Sequence, residues 1–172
     1  GTETVVRING INTELGQEDL QAVVRAKPDI IRLPKTETAA DVLEAERMIA
    51  AIEREIGMEE GTVKLMAAVE SPLGILHAME IATSTPRLIA MAIGAEDYVT
   101  NMQTTRSPQG VELATARGNL LIACRAAGIY ALDTVYSDIN NDGGFLDEVR
   151  LIHQMGFDGK SCIHPRQIEP VH

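Results

Sequence analysis

The chain has 172 residues, 45% of them hydrophobic, with no Trp, two Phe and three Tyr, and a formal net charge of −10. That length allows one domain with a sizeable core, which must rest on Ala, Ile, Leu, Val and Met rather than on aromatic rings. The negative charge argues against a nucleic-acid partner or an anionic membrane surface.

No run of 18 apolar residues and no signal peptide are visible, which points to a soluble cytoplasmic protein. Cys124 falls in a helical pattern and Cys162 in a strand pattern. Without close spacing or a third cysteine, both are expected to be small buried hydrophobes of a reducing compartment. The first residues are already strand-like and no initiator Met precedes them, so the numbering is expected to begin inside a longer polypeptide.

A β-branched run over residues 4–8 opens the chain, followed by a loop at Asn9-Gly10. Helical periodicity over 18–27 leads to a second strand at 29–33, stopped by Pro34. Residues 38–56 form a strong amphipathic pattern with Val42, Leu43, Ala45, Met48, Ile49 and Ile52 on one stripe, ended by Gly57. A third strand is expected at 63–69, and a helix at 72–82 carrying Leu76, Met79 and Ile81. A fourth strand at 87–93, a helix at 111–127, a fifth strand at 129–135, a helix at 145–155 and a short sixth strand at 160–163 complete the chain.

Six strands thus alternate with five helices. Regular βα repetition with apolar, non-alternating strands implies a parallel sheet covered by helices. A (β/α)8 barrel needs eight such units, usually over about 250 residues, so the pitch fits a TIM barrel lacking two units. An open doubly wound sheet also fits the count. No GxGxxG fingerprint and no Walker loop is present.

The stretch from Lys64 to Tyr98 holds the most chemistry. Glu70 ends the third strand, and Glu96 and Asp97 follow the fourth. Neighbouring parallel strands lie about 4.8 Å apart with their carboxyl ends on one face, so Glu70 and Asp97 come within reach of one divalent cation. Each acid also fits a helix start, where Ser71-Pro72 makes a cap and the macrodipole favours negative charge.

Barrel enzymes place their chemistry at strand carboxyl ends, and here those positions are Arg7, Lys35, Glu70, Glu96/Asp97, Asp133/Asp138 and His164. Arg7 points inward if Val6 and Ile8 face the helices. A buried arginine there needs an anion, either an internal partner such as Glu70 or Asp97, or a substrate carboxylate. Lys35 reads as a Schiff-base lysine or, more commonly, a surface lysine beginning a helix. His77 is expected on a helix surface and His164 in a loop. The segment 138–143 matches the first half of an EF-hand loop, but Val149 occupies the position of the bidentate Glu, which excludes calcium and leaves a loop capping the next helix.

Six ordered motifs carry a resemblance along essentially the whole chain. They are Val5-Val6-Arg7-Ile8-Asn9, Arg32-Leu33-Pro34-Lys35-Thr36, Ala68-Val69-Glu70-Ser71-Pro72-Leu73-Gly74, Gly94-Ala95-Glu96-Asp97-Tyr98, Asp133-Thr134-Val135-Tyr136-Ser137-Asp138 and Phe157-Asp158-Gly159-Lys160-Ser161. In these the chain resembles the citrate lyase β-subunit family, within the HpcH/HpaI aldolase-like group of metal-dependent carbon–carbon lyases. The resemblance implies a TIM barrel in which the strand around Arg7 is the third, with the first two strands and a C-terminal helical region absent, so that residues 1–172 form one partial barrel of strands three to eight. It implies Mg2+ held by Glu70 and Asp97, and a substrate contact from Arg7. The implied reaction cleaves a citryl thioester, on acyl carrier protein or coenzyme A, to oxaloacetate and an acetyl thioester. Other citrate lyase subunits (alpha and gamma) and further copies of the chain are the implied partners. A malyl- or citramalyl-coenzyme A lyase, or a non-catalytic assembly fragment, are the alternatives.

Overall fold

The computed structural model describes residues 2–172. Its six strands are β1 (Val5–Arg7), β2 (Ile30–Leu33), β3 (Lys64–Val69), β4 (Leu88–Ile93), β5 (Tyr130–Asp133) and β6 (Gly159–Lys160). All pair in parallel, in the unbroken order β1-β2-β3-β4-β5-β6. A doubly wound sheet reverses its strand order at a switch point; this sheet does not, so that alternative is excluded. The order is that of a barrel wall left incomplete. Among the described residues, β1 and β6 have no partner on their outer sides.

The helices are α1 (Glu14–Arg25), α2 (Ala39–Glu55), α3 (Pro72–Leu76), α4 (Ala78–Ala82), α5 (Ala95–Asn101), α6 (Ala114–Ala127), α7 (Asp142–Met155) and α8 (Ile168–Val171). Local chemistry sets their ends. Thr38 and Asp41 form a reciprocal capping box at the start of α2. The Asn141 side chain accepts from the Gly144 N–H at the start of α7, the capping role expected for that loop. Gly128 and Gly156 close α6 and α7 with φ of 73° and 102°, a left-handed turn that glycine adopts without strain.

The helices pack on one face of the sheet. Ile31, Leu33, Leu65, Ala67, Val69, Met91, Ile93 and Ala131 point to them and join Val42, Ile49, Ile81, Leu120 and Ile152 in one large core. The alternate residues Ile30, Met66, Ala90 and Ala92 form a much smaller cluster on the opposite, concave face. A register shift between Leu65 and Met66 keeps that alternation in phase across β3 and β4.

Three expectations are corrected. The segment 72–82 is two helices broken at His77, and the exposed side is the one carrying Leu76 and Met79, while Ile75, Ala78 and Ile81 are buried. His77 is half-buried rather than on the surface, and its Nδ1 lies 2.9 Å from the Glu37 carbonyl oxygen. Cys124 is buried as expected, with its thiol pushed up to about 12 by burial, but Cys162 is exposed. Among the described residues no helix is long and apolar enough to cross a membrane.

Candidate active site

The concave face carries the chemistry. β3 alternates so that Met66, Ala68 and Glu70 share that face, and Glu70 sits just past the strand's carboxyl end. On β4, Gly94 follows the last strand residue and is at once the N-cap of α5, which puts Glu96 and Asp97 in the helix's first turn. The sequence reading had no helix here. The two readings of Asp97, helix-start acid and strand-end ligand, therefore describe the same residue.

Glu70 and Asp97 lie near enough for one carboxyl to act on the other. Burial raises the Glu70 carboxyl above its ordinary value, and a side-chain hydrogen bond and the charge of Asp97 raise it further. The Lys35 backbone N–H donates to Glu70 and opposes the shift, as does the charge of Arg32. The Lys35 ammonium stands 3.8 Å from Asp97 Oδ2. Both partners of that contact are exposed, so it contributes little to stability. The Asn101 side chain donates to the Asp97 carbonyl at 2.9 Å and reaches the Glu70 carbonyl at 3.5 Å, tying α5 to the end of β3.

Space for Glu70 depends on Gly94. A Cβ there would fall 2.6 Å from Glu70 Cγ and 3.0 Å from Cδ. Two carboxylates that press together, one of them half-buried and proton-hungry, have the donor set of a hard divalent cation that keeps most of its waters. Among the described residues no group of three or more His, Cys, Asp or Glu side chains is placed to hold a metal. Carboxylate oxygens are hard donors of the kind that suit Mg2+.

Glu96 does not join the pair. Its carboxylate accepts from Arg106 Nη1 at 3.1 Å and Ser137 Oγ at 2.7 Å. Arg7 is aligned with Arg32 across β1 and β2 on the concave face, with Ile8 in the helix-side core. It is exposed, not buried as the sequence suggested, and among the described residues it forms no ion pair with Glu70 or Asp97.

Asp133 is placed differently from the other strand-end acids. It follows Ala131 onto the helix face, where Arg117 Nε and Nη2 donate to it at 2.8 and 2.9 Å and Lys160 Nζ at 2.8 Å. Glu148 of α7 closes this buried cluster, 3.0 Å from Arg117 Nη2. Burial works to raise the Asp133 carboxyl, but Arg117 and Lys160 outweigh it and hold the group below the usual range. The cluster fastens α6, α7, β5 and β6 behind the wall. Asp138 accepts from the Asn140 N–H in an exposed loop, and His164 Nδ1 accepts from the Arg166 N–H, so neither reaches the carboxylate pair.

Arg32 was missed by the sequence reading. It lies on the concave face between Arg7 and Met66, its Nε is buried without a hydrogen-bond partner, and it forms no ion pair among the described residues. The signal was a single charge in the apolar run Ile30-Ile31-Arg32-Leu33, in phase with Ile30.

Residues 1–165 match the family model described as HpcH/HpaI aldolase/citrate lyase. The citrate lyase subunit beta of Escherichia coli (strain K12) is 57% identical over 170 residues, 99% of this chain and 56% of that one. A (3S)-malyl-CoA thioesterase of Cereibacter sphaeroides (strain ATCC 17025) is 36% identical over 165 residues, 96% of this chain and 54% of the other. A structure of the citrate lyase beta subunit complexed with oxaloacetate and magnesium, from M. tuberculosis, superposes with a TM-score of 0.80 at 33% identity, covering 97% of this chain and 70% of that one. The chain spans little more than half the length of the curated relatives it matches.

Proposed function

The chain belongs to the HpcH/HpaI aldolase/citrate lyase family, and from that premise we propose that it is the central part of an Mg2+-dependent carbon–carbon lyase. The substrate is a citryl thioester, on acyl carrier protein or coenzyme A, and the products are oxaloacetate and an acetyl thioester. The protein acts as the β chain of a cytoplasmic citrate lyase, with alpha and gamma subunits and further copies of itself as partners. Its six strands correspond to the third to eighth of the family barrel, in one domain over residues 1–172. The observation that carries the reading is the placement of Glu70 and Asp97 just past the ends of adjacent parallel strands, with Gly94 leaving room for the Glu70 side chain.

Glu70 and Asp97 are the metal-holding carboxylates in this reading. Mg2+ held there would supply the positive charge that lowers the pKa of the substrate hydroxyl. The Lys35 ammonium stands beside Asp97 and adds positive charge at the edge of the pair. Arg7, free of internal partners, donates to a substrate carboxylate or to the oxygen that gains charge. Cleavage then removes the hydroxyl proton and turns that carbon into the ketone of oxaloacetate. The electrons of the broken C–C bond pass to the carbon beside the thioester, and a proton added there gives the acetyl thioester.

The malyl alternative differs only in substrate. The identity of 57% to a citrate lyase subunit, against 36% to a malyl-CoA thioesterase, favours the citryl substrate. Turnover of citryl and malyl thioesters by the purified full-length protein, with and without Mg2+, tests the proposal. Mg2+-dependent release of oxaloacetate is the expected result. Preferential cleavage of the malyl thioester would shift the substrate, and no cleavage of either would leave an assembly module.

A further inference from the structure

We propose that Arg32 is a specificity-determining residue that binds the second carboxylate of the substrate, the group that distinguishes oxaloacetate from pyruvate. The inference rests on the proposed lyase reading and deepens it, since a citryl thioester keeps two free carboxylates and a malyl thioester only one.

Arg7 and Arg32 are register partners on adjacent strands, so their backbones are about 4.8 Å apart on the same face. Two guanidinium groups side by side repel each other unless an anion lies between or over them. No protein carboxylate fills that role: among the described residues neither arginine forms an ion pair. The inner neighbour of Arg32 on β3 is Met66, which is apolar. Four residues further along β3 stands Glu70, whose charge acts on Arg32 without an ion pair forming.

The side chain is built in, not free. Its Nε is buried and has no hydrogen-bond partner, as is true of Arg87 Nε and Arg106 Nε, but those two arginines are held by carboxylates and Arg32 is not. Burial pushes its guanidinium below its ordinary value, the Glu70 charge opposes this, and the Arg7 charge adds to it. A half-buried guanidinium with no protein carboxylate on it is suited to a two-pronged contact with a ligand carboxylate. In the proposed reading Glu70 and Asp97 are committed to the cation, so two adjacent arginines remain for two substrate carboxylates. A site built around a buried donor also discriminates strongly against a ligand that lacks the matching group.

The test uses the full-length protein in Mg2+ and calorimetric titration with oxaloacetate and with pyruvate, which differ by that one carboxylate. Arg32→Met is expected to weaken oxaloacetate binding about thirtyfold or more and to change pyruvate binding by no more than about twofold. Equal losses for both ligands, or no loss for oxaloacetate, would overturn the inference. Should Arg32→Met fail to fold, Arg32→Lys is read by the same ratio: a reduced oxaloacetate preference supports the site and an unchanged preference overturns it. Wild-type protein that prefers oxaloacetate, loses the preference in the variant, yet cleaves no citryl thioester refutes the proposed reaction and upholds the arginine site. Wild-type protein with no preference for oxaloacetate refutes the arginine site even if citryl turnover is found.

Discussion

Gly94 lies so close beneath Glu70 that a single added methyl would meet its side chain at 2.6 Å, although the backbone of Gly94, with φ of −104°, suits any residue. The glycine is needed for space and not for conformation. Gly94→Ala is therefore expected to leave the backbone intact and push the Glu70 carboxylate off its position. Disturbing the support of a metal ligand costs about 10–100-fold in metal affinity, and displacing the ligand itself should cost at least as much. Mg2+ titration of the full-length variant, with circular dichroism to verify folding, measures it; unchanged affinity would mean Glu70 is not a ligand.

The raised Glu70 carboxyl makes a pH prediction for the metal-free protein. A group that holds its proton more tightly folded than unfolded favours folding most when protonated. That contribution is complete below the ordinary glutamate value of about 4.3 and is lost as pH rises through the raised value. Glu70→Gln mimics the protonated form. Urea denaturation in chelator across pH should show the variant gaining stability on wild type as pH rises, with the gap narrowing in acid. A gap that does not change with pH would show that Glu70 has an ordinary pKa.

Asp97 and Glu96 are neighbours with different tasks. Asp97→Asn is expected to weaken Mg2+ binding and turnover together, since it removes one of two carboxylates. Glu96→Gln loses contacts to Arg106 and Ser137 and should affect metal affinity much less. Parallel titrations of the two variants compare them directly, and equal effects would contradict the separation seen between the two side chains.

Among the described residues Arg7 pairs with no acid, so Arg7→Lys should leave the melting temperature near that of wild type. Turnover should fall by the equivalent of about 2–4 kcal/mol in transition-state stabilisation, the scale for one such donor, because an ammonium cannot copy the two-pronged contact. Wild-type kcat with lowered stability would mean Arg7 is structural.

Behind the wall, Arg117→Ala leaves buried Asp133 with Lys160 alone, and Glu148 with Lys160 and Arg106. Removing one partner from a buried ion pair costs about 3–5 kcal/mol. Chemical denaturation should register a loss of that size, and a loss under 1 kcal/mol would show the cluster to be better solvated than its geometry implies.

The apolar runs of β3 and β4 and the helical stripe of α2 were legible because each is long and periodic. Glu70 and Asp97 could be paired before any coordinates, since strand ends in a parallel sheet share one side. Other features depended on neighbours that no local window contains. Asp133 stands at a strand end like Glu70, but its phase with Ala131 turns it toward Arg117 and Lys160. Leu76 keeps helical spacing with neighbouring apolar residues yet is 77% exposed, because the chain breaks at His77 and rotates the buried face onto Ile75 and Ala78. The helix α5 escaped notice because it begins directly at Gly94 with no polar loop before it. Arg32 was hidden by the apolar run that contains it, and only the pairing with Arg7 gives its charge a meaning.

Lys35 holds a left-handed backbone, φ 47°, that side-chain-bearing residues adopt at a cost of order 1 kcal/mol. Lys27 and Gln103 share that conformation, but they close α1 and α5, where such a turn is commonplace. Lys35 closes no helix; its turn aims one amide at Glu70 while its ammonium stands by Asp97. A glycine would make the same turn and keep the amide at less strain, losing only the charge. A random library of this chain screened for heat resistance alone should therefore drift toward glycine at position 35, whereas one screened for turnover should hold the lysine, so the two selections pull this residue apart.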